Sequence, residues 1–225
     1  GATKRLGLAF TKQSLLMGFS VIAHYRSTAA PLKAWLTKNN PHKKKVFFIR
    51  YNLEKNPELL IDKCSDFPVT LIGLVNNAST FTKGNLDDIE HLKKTITVNT
   101  TAPLLLSQRL HQRVKKGWVV NITDAITSFN KTYQNYRISK RLLNEFTLQL
   151  AYLFAPSIRV NALAPAAILP STQNEKTYFR KLKETAPLKK TDNITSLMKA
   201  FTFLVENTSI TGQILYVDNG LHLCS

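Results

Sequence analysis

Tyr136 and Lys140 stand four residues apart in the stretch "YRISK". On a helix that spacing puts both side chains on one face. A phenol with its ordinary pKa of about 10 is a sluggish proton donor or acceptor near neutrality. A neighbouring ammonium stabilises the phenolate and lowers that pKa, so the pair could carry general acid–base chemistry. A second candidate group opens the chain. "GATKRLG" sets Lys4 and Arg5 between Gly1 and Gly7, ahead of an amphipathic run. Glycine lets a backbone approach a ligand closely. A helix N-terminus offers free N–H groups and a partial positive charge. The turn therefore suits a pyrophosphate, although its G-x-x-x-R-x-G spacing departs from G-x-G-x-x-G and sets Arg5 where a third glycine often sits.

Such groups need a scaffold, and the hydrophobic pattern supplies one. Continuous apolar runs at Ser20–Tyr25, Lys45–Leu53, Thr70–Ser79, Trp118–Asp124, Ile158–Pro165 and Ile214–Gly220 read as strands buried on both faces. Runs with apolar residues three and four apart fall between them, at Leu6–Met17, Ala30–Asn39, Val98–Lys115, Tyr133–Phe154 and Asn193–Asn207. Strand alternating with helix predicts one α/β domain over residues 1–225, with a doubly wound parallel sheet. A glycine turn of this kind follows a strand. None stands ahead of Gly1, so the first strand, a central one, is expected to be absent from this sequence.

Composition narrows the partners. The 225 residues carry a net charge of +17. The basic residues are scattered, and the one dense run, "HKKKV" at His42–Val46, reads as a solvated loop. A nucleic-acid partner is therefore not expected. No apolar run is long enough to span a membrane, and no leader is apparent, so the expected location is the cytoplasm. Cys64 and Cys224 lie far apart with no metal spacing and are expected as free thiols. His24, His42, His91, His111 and His222 form no ligand pattern with acids or cysteines, so no metal is expected.

The strand after the opening helix ends in "HYRST", His24–Thr28, with no carboxylate to receive ribose hydroxyls. Arg26 and Ser27 suit a 2′-phosphate instead, with Lys4 and Arg5 nearby. Three cations and no acid favour NADPH over NADH.

"LVNNAS" at Leu74–Ser79, "YRISK" at Tyr136–Lys140 and "TG" at Thr211–Gly212 before "YVDNG" follow the opening turn in order. Together this set resembles the short-chain dehydrogenase/reductase family over essentially the whole chain. "GATKRLG", "HYRS", "NNASTF" and "TDAIT" look like its pteridine reductase branch, which includes bacterial dihydromonapterin reductases. The resemblance implies a Rossmann fold. It also implies NADPH contacts from Gly1, Lys4, Arg5, Leu6 and Gly7, and from His24, Tyr25, Arg26 and Ser27. Asn52, Leu53, Asn77, Ala78, Ser79, Tyr136, Lys140, Pro165 and Ile168 complete the set. Lys140 would also hold the nicotinamide ribose. Asn99 in "VNTTAP" would bind a water that feeds protons toward Lys140. Phe81 would sandwich a flat pterin against the nicotinamide, with Ser79 offering a hydroxyl. Ile168–Thr185 would form a substrate flap. A homotetramer would assemble through Val98–Lys115 and Tyr133–Phe154.

Three departures stand out. Asn52 replaces the usual aspartate beside the adenine, and "APAA" at Ala164–Ala167 lacks the frequent Pro-Gly. The spacing from Asp124 to Tyr136 is one residue shorter than usual. By count alone Thr123 would hold the position of the family's catalytic serine. "DAIT" directly after "VVNIT" favours Asp124, with the deletion expected in the Thr127–Thr132 loop.

Asp124 discriminates between reactions. Ketone reduction builds negative charge on oxygen, which a carboxylate would repel. Reduction of a ring C=N bond needs a proton on nitrogen, which a carboxyl of raised pKa can deliver. The resulting expectation is NADPH-dependent reduction of a dihydropterin, with dihydrofolate as a side substrate. An NADPH-dependent carbonyl or 3-oxoacyl reductase using Thr123 is the alternative. A non-catalytic nucleotide-binding relative comes third, disfavoured by the intact Tyr136 and Lys140.

Overall fold

A computed structural model of the chain describes residues 1–39, 45–126, 131–169, 176–191 and 193–224. The six apolar runs form six strands: β1 (Val21–Tyr25), β2 (Val46–Arg50), β3 (Gly73–Asn76), β4 (Gly117–Ile122), β5 (Ile158–Pro165) and β6 (Ile214–Val217). All but β5 are shorter than their runs, whose ends pass into the turns that carry the site. Every pairing is parallel.

The strands make two sheets, β1–β2 and β3–β4–β5–β6. Among the described residues no ladder joins β1 to β3. A cavity of about 180 Å³ lies between their facing edges, walled by Val21 and Ile22 on one side and Gly73–Asn76 on the other. The opening turn bridges the end of the gap: Ala2 N–H donates to the His24 carbonyl (2.8 Å), and Asn77 Nδ2 donates to the Gly1 carbonyl (2.8 Å).

Helices cover both faces. On one, α1 (Arg5–Leu16) packs with α8 (Ile194–Glu206) over β4 and β5. Phe10 meets Phe201 edge-to-face at 5.1 Å, in a cluster with Val120, Ile122, Leu163 and Leu197. Burying a side chain such as Phe201 stabilises by about 1.5–3 kcal/mol. On the other face α5 (Ala102–Arg113) and α6 (Gln134–Phe154) enclose Leu110, Val119, Leu150, Phe154 and Val160. The remaining helices are α2 (Ala30–Lys38), α3 (Leu59–Lys63), α4 (Ile89–Ile96) and α7 (Lys176–Thr185).

Two elements differ from the periodicity. The predicted helix Val98–Lys115 is the later part of a longer rod. It starts at Ile89 in α4 and enters α5 through a π-helical stretch, Thr97–Thr101. Pro103 has no N–H to return to residue 99, and the widened turn accommodates that loss. Second, the predicted flap contains a helix, α7. The basic residues His42–Lys44, the loop residues Thr127–Asn130 and flap residues 170–175 lie outside the described residues.

Cys64 and Cys224 are free, and burial pushes the Cys64 thiol up to about 11. Among the described residues no helix is long and apolar enough to cross a membrane.

Candidate active site

The C-terminal ends of the parallel strands all deliver their following residues to one side of the sheets, which is where open α/β sheets bind ligands. A cleft of about 900 Å³ runs there from Arg26 to Tyr178. β1 delivers Tyr25, Arg26 and Ser27 to its wall; β2 delivers Asn52 and Leu53. β3 delivers Asn77, Ala78, Ser79 and Phe81; β4 delivers Asp124; β5 delivers Pro165 and Ile168. α6 contributes Tyr136 and Lys140, and the opening turn contributes Gly1, Lys4, Arg5 and Leu6.

Two sequence-predicted residues stand outside the wall. Gly7 lies behind the turn, where an added Cβ would fall 1.8 Å from the Gly1 carbonyl oxygen and 2.9 Å from Asn77 Nδ2. It permits the turn rather than touching its contents. Asn99 is fully buried. Its Oδ1 accepts from Thr80 N–H (2.8 Å), and its Nδ2 donates to the Thr80 carbonyl and Ser139 Oγ (both 3.0 Å). Those bonds tie the loop after β3 to α6. Both ends of the side-chain amide are thus engaged within the protein.

The catalytic candidates converge, but not as expected. Tyr136 Oη donates to Asp124 Oδ2 at 2.6 Å. Asp124 Oδ1 accepts from Ile126 N–H at 2.7 Å. Lys140 is buried, and its Nζ donates to the Ile122 carbonyl at 2.8 Å. Burial raises the Asp124 carboxyl above the ordinary range, opposed by the Tyr136 hydroxyl, the Ile126 N–H, Lys140 and Arg137. Burial, reinforced by Asp124, raises Tyr136 well above 10. Burial also lowers Lys140 to about 8, with Asp124 opposing. The expected acidified phenol is therefore corrected: a buried hydroxyl bonded to a carboxylate holds its proton. Thr123 turns away, its Oγ1 donating to the Leu163 carbonyl (3.3 Å).

The nucleotide end also differs in detail. Arg5 has a left-handed backbone (φ 52°), which favours glycine over a side chain. Its Nη2 donates to the Leu169 carbonyl at 2.8 Å, tying the opening turn to the root of the flap. Lys4, Arg5 and Arg26 all line the one cleft, with Arg5 committed to the Leu169 carbonyl. An acid from beyond β2 reaches this end of the cleft: Arg26 Nη1 donates to Glu54 Oε1 at 3.2 Å. His24 Nε2 donates to the Tyr51 carbonyl (3.0 Å). Burial lowers the imidazole below its ordinary range.

Sequence reasoning missed an aromatic wall. Phe81 stacks on Tyr133, with ring centres 4.6 Å apart and planes 3° from parallel, and meets Tyr136 edge-on at 4.7 Å. Tyr178 of α7 and Arg137 also line the cleft. Tyr133 stands three residues before Tyr136, the spacing of helical neighbours, and that signal could have found it.

The residues fit a dinucleotide. Lys4, at the start of α1, makes no side-chain cap bond, and the first turn holds no acid. Its N–H groups and the Gly1–Gly7 turn leave room for a phosphate backbone. The family model described as "Enoyl-(Acyl carrier protein) reductase" matches residues 1–222. The chain belongs to the short-chain dehydrogenase/reductase family. Other members of this oxidoreductase family resemble it along most of its length. An uncharacterised oxidoreductase of Thermotoga maritima is 28% identical over 77% of this chain and 76% of its own. The dihydromonapterin reductase of Citrobacter koseri is 26% identical over 99% of this chain and 95% of its own. The crystal structure of FolM alternative dihydrofolate reductase 1 from Brucella canis, complexed with NADP, superposes with a TM-score of 0.89. It is 28% identical and covers 99% of this chain and 92% of that one.

Proposed function

We propose that this short-chain reductase uses NADPH to reduce a C=N bond in a pteridine, converting a dihydropterin to its tetrahydro form. The observation that carries the reading is the 2.6 Å bond from Tyr136 Oη to a buried carboxylate, Asp124, at the end of β4. The likeness to a dihydromonapterin reductase and to an alternative dihydrofolate reductase supports it.

Arg26 and Ser27 would meet a 2′-phosphate, and the opening turn the pyrophosphate. Asn77–Ser79, Lys140, Pro165 and Ile168 would hold the nicotinamide half. The reduced nicotinamide supplies a hydride to the ring carbon of the C=N bond. The chain's own residues supply the matching proton. Asp124 and Tyr136 share one hydrogen bond, and the raised carboxyl binds a proton more readily than an exposed aspartate. That proton passes to the ring nitrogen as it becomes an amine, and solvent restores it to the pair. Lys140, positive at pH 7 and held on the Ile122 carbonyl, stabilises the carboxylate left behind. Phe81, 57% exposed, presents a π-face for a flat heterocycle, worth about 0.5–1.5 kcal/mol beyond area burial. A ketone gains less here, because charge building on its oxygen would face Asp124.

The test is NADPH oxidation with a dihydropterin, dihydrofolate and a 3-oxoacyl thioester. Turnover of the dihydropterin in preference to the thioester is expected. Turnover of the thioester alone would overturn the reading.

A further inference from the structure

The loops leaving β1 and β2 lie side by side, because the strands pair in register from Val21↔Val46 to Tyr25↔Arg50. The ladder runs on through Tyr51 N–H to the Tyr25 carbonyl (3.0 Å). Three charged side chains meet beyond it. Arg50 Nε donates to the Arg26 carbonyl (3.2 Å), and Arg26 Nη1 donates to Glu54 Oε1 (3.2 Å). Glu54 is held in place in turn: its N–H donates to Asn52 Oδ1 (3.1 Å), closing an Asx turn. The Glu54 side chain is 28% exposed against 61% for Arg26. The acid is the more sheltered partner, and the cation lines the cleft.

We propose that Glu54 sets how strongly this chain discriminates between 2′-phosphorylated and 2′-hydroxyl dinucleotides, by occupying one arm of the Arg26 guanidinium. The proposal rests on the reading that Arg26 meets a 2′-phosphate. A guanidinium grips phosphate best through two parallel hydrogen bonds, and here one of its nitrogens is already committed. A phosphate brought to the other nitrogen also meets the Glu54 carboxylate as a like charge, which solvent only partly screens. An uncharged 2′-hydroxyl meets no such repulsion, and a carboxylate near the ribose can accept its proton in a hydrogen bond. Glu54 therefore weakens binding of the phosphorylated ribose and spares the unphosphorylated one. It is a positioning residue that acts through Arg26.

The experiment measures binding of adenosine 2′,5′-bisphosphate and adenosine 5′-monophosphate to the full chain by calorimetry. Glu54→Gln keeps the side chain's size and the Asx turn, which uses only the backbone N–H. It is expected to tighten the bisphosphate about twofold to fivefold, the range of an exposed ion pair, and to leave the monophosphate unchanged. The gain should shrink at high salt and in an Arg26→Ala background, where only the direct repulsion remains. Equal shifts for both ligands, or no shift for either, would overturn the proposal. Arg26→Ala separates the two levels. If it leaves bisphosphate binding intact, the phosphate reading falls and Glu54 with it. If it weakens the bisphosphate while Glu54→Gln does nothing, only the role of Glu54 falls.

Discussion

In the proposed chemistry a proton is held between Asp124 and Tyr136, and each partner shapes the other. Burial penalises the carboxylate, and the phenol bonded to it becomes harder to ionise. Asp124→Asn should lower kcat for a dihydropterin by at least about 100-fold, within the usual contribution of a positioned acid or base. The same change should raise thermal stability at pH 7. The sign follows from linkage: a carboxyl whose folded pKa lies above its unfolded value contributes stability below the unfolded pKa, and loses it as pH rises through the folded one. The difference in Tm between variant and parent should therefore shrink as pH falls toward the ordinary carboxyl value of 3.8. A Tm difference independent of pH would contradict this. Lys140 gives a second pH handle. Its ammonium, lowered to about 8, should lose its charge as pH rises, so the pterin rate should fall across that value.

At the scale of elements, the glycine turn and the π-helical passage from α4 to α5 help to position the site. Gly7→Ala places a methyl against the Gly1 carbonyl and Asn77. Dinucleotide binding, read by nicotinamide fluorescence, should drop at least tenfold while the far-ultraviolet spectrum stays folded. Asn99→Leu strands the Thr80 N–H and carbonyl it now serves. Each orphaned group costs about 1–3 kcal/mol, and urea denaturation should report a loss of about 2–6 kcal/mol for the two. Much of this layer was legible in the sequence. All six strands follow from apolar runs, because burial on both faces leaves a continuous signature, and α1, α2, α5, α6 and α8 follow from periodicity. The rest was not legible, since it depends on pairs far apart in the chain. Nothing local announces that Arg5 reaches Leu169, 164 residues away, or that Glu54 lies on Arg26. The Tyr136 pKa misled for a related reason. The sequence offered Lys140 as its partner, whereas the fold turned that ammonium to Ile122 and gave the phenol a carboxylate.

At the scale of the molecule, α6 leaves apolar side chains uncovered. Leu148, Tyr152 and Leu153 are 40%, 83% and 63% exposed, which suits the proposed homotetramer. Tyr152→Glu combined with Leu153→Glu should give a smaller species in light scattering after size exclusion, and an unchanged mass would argue against that interface. Fold and cleft serve one proposed event, delivery of a proton from Asp124 to a ring nitrogen. The most direct test compares parent and Asp124→Ser on a dihydropterin and a 3-oxoacyl thioester, following NADPH oxidation at pH 7. The account predicts that the variant loses dihydropterin turnover by about 100-fold or more and loses no thioester turnover. Dihydropterin reduction at the parent rate would contradict it.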